Sequence, residues 1–257
     1  MPHIADDKEN PPKPLRWYRK LAARKGRLEA GVFLAEGDRV IKQISGNNPN
    51  GIIEILYTQP LPAHYHSYPH RLITDDQLRY ISSAKTPQGI IAVMRLPVET
   101  YSDRLPPDTG STILLLEDIQ DPGNLGSLIR SAAAFNFCGV ILTEKCADPF
   151  SPKVVQSAAG SLFPLWIRRT AAYLKLAGEL KSSGYSLIAA DLGGSEDPQP
   201  LKLHRKLLLV LGNEAAGLSP SVLGVADYRI RIPVMDKKAE SLNVAACGAI
   251  CMYLSRS

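Results

Sequence analysis

No run of apolar residues in this chain of 257 approaches the roughly 18 that a membrane-spanning helix needs. The N-terminal stretch MPHIADDKENPPKP carries no apolar segment of the secretory-leader kind, so a cytoplasmic location is the expectation. Cysteine is scarce: Cys138, Cys146, Cys247 and Cys251 are the four, and none forms a C-x-x-C pair. No disulfide framework is expected on those counts. Cys247 and Cys251 lie four apart on one face of a C-terminal helix and read as small buried hydrophobes. His64, His66 and His70 cluster in a proline-rich loop without a cysteine or patterned acid, so no metal site is expected. A G-x-G-x-x-G fingerprint is absent, which argues against NAD or FAD. Gly212 to Ser219 comes close to a P-loop but has Leu218 where the lysine belongs, and Glu214 would face the phosphates. A nucleoside triphosphatase is rejected. Acid is also missing from Lys13 to Arg27.

What is present begins with an apolar share of 45 %, enough for a sizeable core, and a net charge of +5. The acid-free stretch holds Lys13, Arg16, Arg19, Lys20, Arg24, Lys25 and Arg27, with Trp17 and Tyr18 between them. Such a stripe can pair with phosphates while an aromatic ring stacks on a base; the alternative is a solvated helix face. Residues 1–14 read as a polar, proline-rich disordered tail, 15–96 as a small mixed domain, 97–110 as a linker and 111–257 as a second domain. In the first domain a basic helix is predicted over 15–25, a helix over 38–44, strands at 52–57 and 90–95, and a short helix over 75–81. From 112 onward apolar strands alternate with helices: strands at 112–116, 140–142, 165–167, 186–190, 207–211 and 229–232, helices over 125–135, 153–158, 171–183 and 242–254. That alternation predicts an α/β fold, a mostly parallel sheet with helices on both faces.

Ligands bind open α/β sheets at the carboxyl ends of the strands. There this chain places Asn124 and Arg130 around the start of a helix, Glu214 in a glycine-flanked loop, and Ser241 and Asn243 ahead of the last helix. Singly each has an ordinary structural explanation, Ser241 as an N-cap or Asn124 as a turn residue. Together they are polar groups at several strand ends of one sheet, the arrangement an active site needs.

EDIQDPGNLGSLIRSAAAF, LGNEAAGLS and RIPVMDKKAESLNVAACGAICMYL resemble, in order, the three motifs of the SpoU (TrmH-like) RNA 2'-O-ribose methyltransferases of the SPOUT superfamily. SPKVVQSAAGSLFPL is also similar to that family, and FLAEGDRVIKQI resembles the L30e-like substrate-binding domain often found ahead of it. The resemblance implies a C-terminal trefoil knot, against the rule that knots are rare. It implies a pocket for S-adenosylmethionine formed by Leu211, Gly212, Gly217, Ile232, Pro233, Met235 and Leu242, and a homodimer with active sites near the subunit interface. Arg130, Asn124, Glu214, Ser241 and Asn243 would be the catalytic set, and Arg16, Arg19, Lys20, Arg24 and Lys25 would grip the RNA. The substrate would be ribosomal RNA, with transfer RNA, a non-catalytic RNA-binding role or base methylation as alternatives. A guanidinium rarely gives up its proton, so Arg130 is expected to stay charged and stabilise the developing alkoxide. Two positions depart from the family: charge at Met235-Asp236-Lys237-Lys238 where many relatives have glycine, and Ala245 where serine is common.

Overall fold

The structure is a computed structural model and describes residues 13–194, 197–202, 204–234 and 242–256. Two sheets organise it. The first is four-stranded, from β1 (Val32–Glu36), β2 (Ile52–Tyr57), β3 (His70–Leu72) and β4 (Ile90–Arg95), in the order β1-β4-β2-β3. β4 is antiparallel to both its neighbours, whereas β3 runs parallel to β2. Four helices accompany this sheet: α1 (Leu15–Lys20), α2 (Arg24–Ala30), α3 (Asp38–Asn47) and α4 (Asp75–Ile81). The capping box at α4, where Thr74 accepts from Gln77 N–H and the Gln77 side chain accepts from Thr74 N–H, fixes its first turn where the sequence predicted it.

The predicted basic helix over 15–25 is two helices. Ala23 is extended, and Arg27 Nη1 binds the carbonyls of Leu21 and Ala22 (2.8 Å each) that would otherwise accept from a continuing helix. β1 and β3 went unread in the sequence, β3 because three residues, two of them polar, show no periodicity.

The second sheet is six-stranded and parallel throughout. It comprises β5 (Thr112–Leu116), β6 (Gly139–Leu142), β7 (Trp166–Arg169), β8 (Ser186–Ala190), β9 (Leu207–Leu211) and β10 (Tyr228–Ile230), in the order β10-β8-β9-β5-β6-β7. Strands buried on both faces must be apolar at every position, and β5 and β9 are nearly so, with Thr112 at one end the sole polar residue. Leu114, Leu116, Leu209 and Leu211 face one way, into the core lined by α5 (Pro122–Ala134), α6 (Pro152–Ser157) and α9 (Val244–Leu254). Ile113, Leu115, Leu208 and Val210 face the other, against α7 (Tyr173–Ser182) and α8 (Pro220–Val225). The predicted α/β architecture with helices on both faces is thus observed.

The stretch 97–110 is packed rather than free. It makes a 3-10 turn at Val98–Tyr101, buries Thr100, and offers the Thr109 carbonyl to Trp166 Nε1 (3.1 Å). Buried apolar side chains run without a break from the first sheet (Phe33, Ala35, Met94) through Phe150 and Leu162 to the second (Leu114, Val140, Leu142). The chain between 234 and 242, where a knot would be threaded, lies outside the described residues.

Candidate active site

The sheet order places β6 on one side of β5 and β9 on the other, so chains leaving β5 and β9 diverge and leave a crevice at their carboxyl ends. Glu117 N–H donates to the Leu211 carbonyl (2.9 Å), which carries the pairing one step past the strands. Beyond it the first chain enters α5, capped by Asp121, whose carboxylate accepts from Asn124 N–H (2.8 Å). The second forms the loop 212–219.

That loop is built by short-range forces. Asn213 and Gly217 exchange two backbone hydrogen bonds (3.0 Å each), and Asn213 Oδ1 accepts from the amides of Ala215 and Ala216 (2.9 Å each). Gly217 has φ +69°, and a Cβ on Gly212 would stand 2.4 Å from the Gly217 carbonyl oxygen, so both must be glycine. Two further ties hold the loop to the end of β5. Asn213 Nδ2 donates to the Asp118 carbonyl (2.8 Å). Glu117 is buried, accepting from Ser219 N–H and Ser219 Oγ–H (2.7 Å each) and from the Tyr173 hydroxyl (3.0 Å). Burial, then the bond to Glu117, pushes the Tyr173 hydroxyl pKa up, so it remains a donor. Sequence reading missed Glu117 and Asn213; the asparagine directly after a strand-ending glycine was the available signal, because it stabilises turns.

At the mouth of the crevice three polar side chains form a relay. Asn243 Nδ2 donates to Asn124 Oδ1 (3.0 Å), and Asn124 Nδ2 donates to Glu214 Oε1 (2.8 Å). Asn243 is also the N-cap of α9, its Oδ1 accepting from the amides of Ala245 (2.9 Å) and Ala246 (3.4 Å). The cap expected of Ser241 belongs to Asn243; Ser241 and Met235 lie outside the described residues. Residues far apart in the chain, from three separate segments, are thereby fixed to one another.

Beside the relay is a cavity of about 510 Å³. Leu211, Gly212, Gly217, Ile232 and Leu242 line it, together with Glu214 and Asn243, whereas Pro233 is exposed and does not. Asp191, at the end of β8, adds a second carboxylate to the wall. Cys247 also faces it, correcting the expectation that both helix cysteines are buried; Cys251 is. A hydrogen bond with Cys251 draws the Cys247 thiol pKa down against the opposing effect of burial.

Arg130 is not in this assembly. Six residues beyond Asn124 on α5, it is turned roughly 120° around the helix; it is exposed and has no hydrogen-bond or ion-pair partner among the described residues. The basic stripe divides as well. Arg16 and Lys20 are exposed and without partners among the described residues. Arg19 lies over the Tyr80 ring (5.0 Å) and donates to the Tyr80 carbonyl, Lys25 pairs with Glu29 (3.8 Å), and Arg24 lies over Tyr101 (5.3 Å) beside Asp148. Tyr18 is wholly buried, its hydroxyl donating to Glu54 (2.6 Å), so it cannot stack on a base. Among the described residues no helix is long and apolar enough to cross a membrane.

Residues 111–253 match the model of the SpoU rRNA Methylase family, and residues 14–92 that of the MRM3-like substrate binding domain. The chain is 31 % identical over 241 residues to the 23S rRNA (guanosine(2553)-2'-O)-methyltransferase RlmP of Bacillus subtilis, covering 92 % of this chain and 93 % of that protein. It is 29 % identical to the 23S rRNA (uridine(2479)-2'-O)-methyltransferase of Streptomyces viridochromogenes, over 93 % of this chain and 87 % of that one. Among solved structures it superposes on the SpoU methyltransferase AviRb from Streptomyces viridochromogenes in complex with AdoMet, with a TM-score of 0.82, 28 % identity and 94 % and 96 % of the two chains covered. The AdoMet-bound rRNA methyltransferase from Sinorhizobium meliloti gives a TM-score of 0.79 at 27 % identity, covering 98 % of this chain and 96 % of that one. With the crevice, the relay and these matches in agreement, the chain belongs to the SpoU rRNA methylase family.

Proposed function

We propose that this protein transfers the methyl group of S-adenosylmethionine to a ribose 2'-hydroxyl of structured RNA, ribosomal RNA rather than transfer RNA. The observation that carries this reading is the Asn243–Asn124–Glu214 relay beside the cavity. Its volume of about 510 Å³ suits a cofactor of this size. Its wall suits the chemistry too: Leu211, Ile230, Ile232 and Val244 offer apolar surface to a base, and Glu214 offers negative charge to a cationic ligand, whereas Asp191 is already paired with Arg229 (2.5 Å). When bound, S-adenosylmethionine supplies a methyl group activated by its sulfonium.

The chain's own residues bind, orient and provide the field. Gly212 and Gly217 let the backbone approach the cofactor closely. Asn124, held from both sides, keeps Glu214 at the cavity wall, and Leu242 and Asn243 complete the cofactor pocket and orient the ribose. Pro233, outside the lining, acts through the backbone, its ring fixing φ beside Ile232. Arg130, always charged, stabilises the alkoxide that develops as the hydroxyl attacks. Residues 15–96, including the exposed Arg16 and Lys20, select the RNA, with Arg19, Arg24 and Lys25 contributing charge from more constrained positions. Residues 111–257 carry the transfer, with the tail threaded as a trefoil knot.

A homodimer supplies what one chain leaves incomplete. α9 has no charged or strongly polar side chain, yet Ala246, Ile250 and Tyr253 form an exposed stripe along it. An apolar helix with an uncovered face belongs in an interface. α9 packs on α5, the helix that carries the unpartnered Arg130.

Two measurements test the reading. Calorimetry is expected to show one S-adenosylmethionine per chain, and Asn243→Ala to weaken it. Mass-spectrometric mapping of ribosomal RNA from cells lacking the protein is expected to show one missing 2'-O-methyl group. Binding of RNA with no heat from S-adenosylmethionine would leave the non-catalytic RNA-binding reading in its place.

A further inference from the structure

Arg27 is the most unusual side chain outside the active site: a guanidinium only 2 % exposed. Its Nη2 pairs with Asp148 Oδ2 at 2.7 Å, and its Nη1 closes the turn between α1 and α2 through the Leu21 and Ala22 carbonyls. Arg24 approaches the same Asp148 oxygen at 3.9 Å. Asp148 belongs to the loop that follows β6, and its other oxygen accepts from Phe150 N–H (2.9 Å).

That loop also holds the active-site edge. Thr143 Oγ accepts from Asp118 N–H (2.9 Å) and donates to Asp118 Oδ1 (2.6 Å). Lys145 pairs with Asp118 at 3.3 Å, and Ala147 N–H donates to the Ile119 carbonyl (2.9 Å). The loop 143–150 therefore contacts the basic α1–α2 hairpin through Asp148 at one end and Asp118 and Ile119, just ahead of α5 and Asn124, through Thr143, Lys145 and Ala147 at the other. Phe33 on β1 against Phe150 (centroids 4.9 Å apart) gives the junction an apolar floor.

We propose that the Arg27–Asp148 pair is a positioning contact that locks the RNA-gripping hairpin in register with the methyl-transfer edge, so that the substrate is a folded RNA presenting its backbone phosphates at a set distance from the target ribose. The proposal rests on the function proposed above. A single flexible strand would gain nothing from a rigid spacing, whereas a folded RNA is selected by it. A buried ion pair is weak support for stability as such, because desolvation offsets most of its attraction; fixing one geometry is its better-attested use. Arg suits this site because its planar fork reaches the carboxylate and two carbonyls at once, which a lysine cannot do.

The test uses the full chain with Asp148→Asn, which keeps shape and can still accept from Phe150 N–H, and with Arg27→Lys, which keeps charge but loses the fork. Three quantities are measured: S-adenosylmethionine affinity by calorimetry, poly(U) affinity by filter binding, and kcat and KM on a 23S ribosomal RNA transcript. Expected are cofactor and poly(U) affinities within about twofold of wild type and a kcat/KM on the folded transcript lowered about tenfold or more, mostly in kcat. Wild-type kcat/KM in both variants overturns the proposal. So does a parallel loss of cofactor affinity of similar size, which would make Asp148 a support of the catalytic loop alone. Hydrogen exchange on the wild-type protein needs no variant to fold: α1–α2 amides as protected as those of β1 support the lock, and independent opening of the hairpin overturns it. Arg16→Ala/Lys20→Ala checks the premise separately, since unchanged poly(U) affinity would remove the hairpin from RNA binding whatever the pair does.

Discussion

Asn124 and Arg130 share a motif and a helix, but only Asn124 joins Asn243 and Glu214; Arg130 is exposed and lies off the cavity wall. This separates the two kinds of loss. Arg130→Ala is expected to lower kcat by about 10²–10³-fold, the usual effect of removing one electrostatic donor to a developing oxyanion. Its S-adenosylmethionine affinity by calorimetry should remain within about twofold, since the side chain lies outside the cavity. Arg130→Lys should recover only part of the rate if the planar fork matters, and wild-type turnover in that variant would exclude any role for the fork. Gly212 and Glu214 were legible because a glycine and a carboxylate just past a buried strand have few structural reasons to be there, whereas Asn213 and Asp191, which line the same cavity, were overlooked. Tyr18 was misread for the opposite reason: its position among arginines suggested exposure, and only packing shows its ring wholly buried beneath α1.

Among the elements, strands central to their sheets were the most legible: β2 and β4 have the predicted boundaries, while the edge strands β7 and β10 do not. β5, β8 and β9 have the predicted boundaries because a strand covered on both faces is an unbroken apolar run bounded by polar turns. The α1–α2 break was not legible: Leu21-Ala22-Ala23 favours helix locally, and the Arg27 side chain, ordered by Asp148, overrides that preference from outside. The 212–219 loop shows the same dependence on distant groups. Its glycines are evident in the sequence, but its anchor, Glu117, stands 102 residues from Ser219 and reads as one more strand-end acid. Glu117→Gln replaces one acceptor oxygen with an amide that meets a donor. The expected result is S-adenosylmethionine affinity about tenfold weaker, equivalent to ~1.4 kcal/mol. RNA affinity should stay unchanged, and turnover at saturating cofactor should lie near wild type. Equal losses in RNA and cofactor binding would instead mark general destabilisation.

On the scale of the whole molecule the two sheets share one apolar core, so the front sheet and its helices are docked rather than tethered. The remaining uncovered apolar surface on α9 includes Tyr253, 62 % exposed, and Ile250, 38 % exposed. Ile250→Glu is expected to convert a dimer to a monomer in sedimentation velocity, with loss of methylation but retention of the fold by circular dichroism. A wild-type protein that sediments as a monomer at micromolar concentration would remove α9 as an interface.

Local chemistry was enough to determine the class of this protein. Apolar runs alternating with helical segments require a covered parallel sheet, and three ordered motifs resemble those of the SpoU family, to which the chain belongs. Side-chain type and short spacing carry that information, because strand burial and helix capping depend on near neighbours. Tertiary structure alone decided which polar groups meet. The Asn243–Asn124–Glu214 relay, the Glu117 anchor and the Arg27–Asp148 pair each join residues separated by 90 or more positions. No local preference encodes such a pairing; it exists only once strand order has brought the segments together.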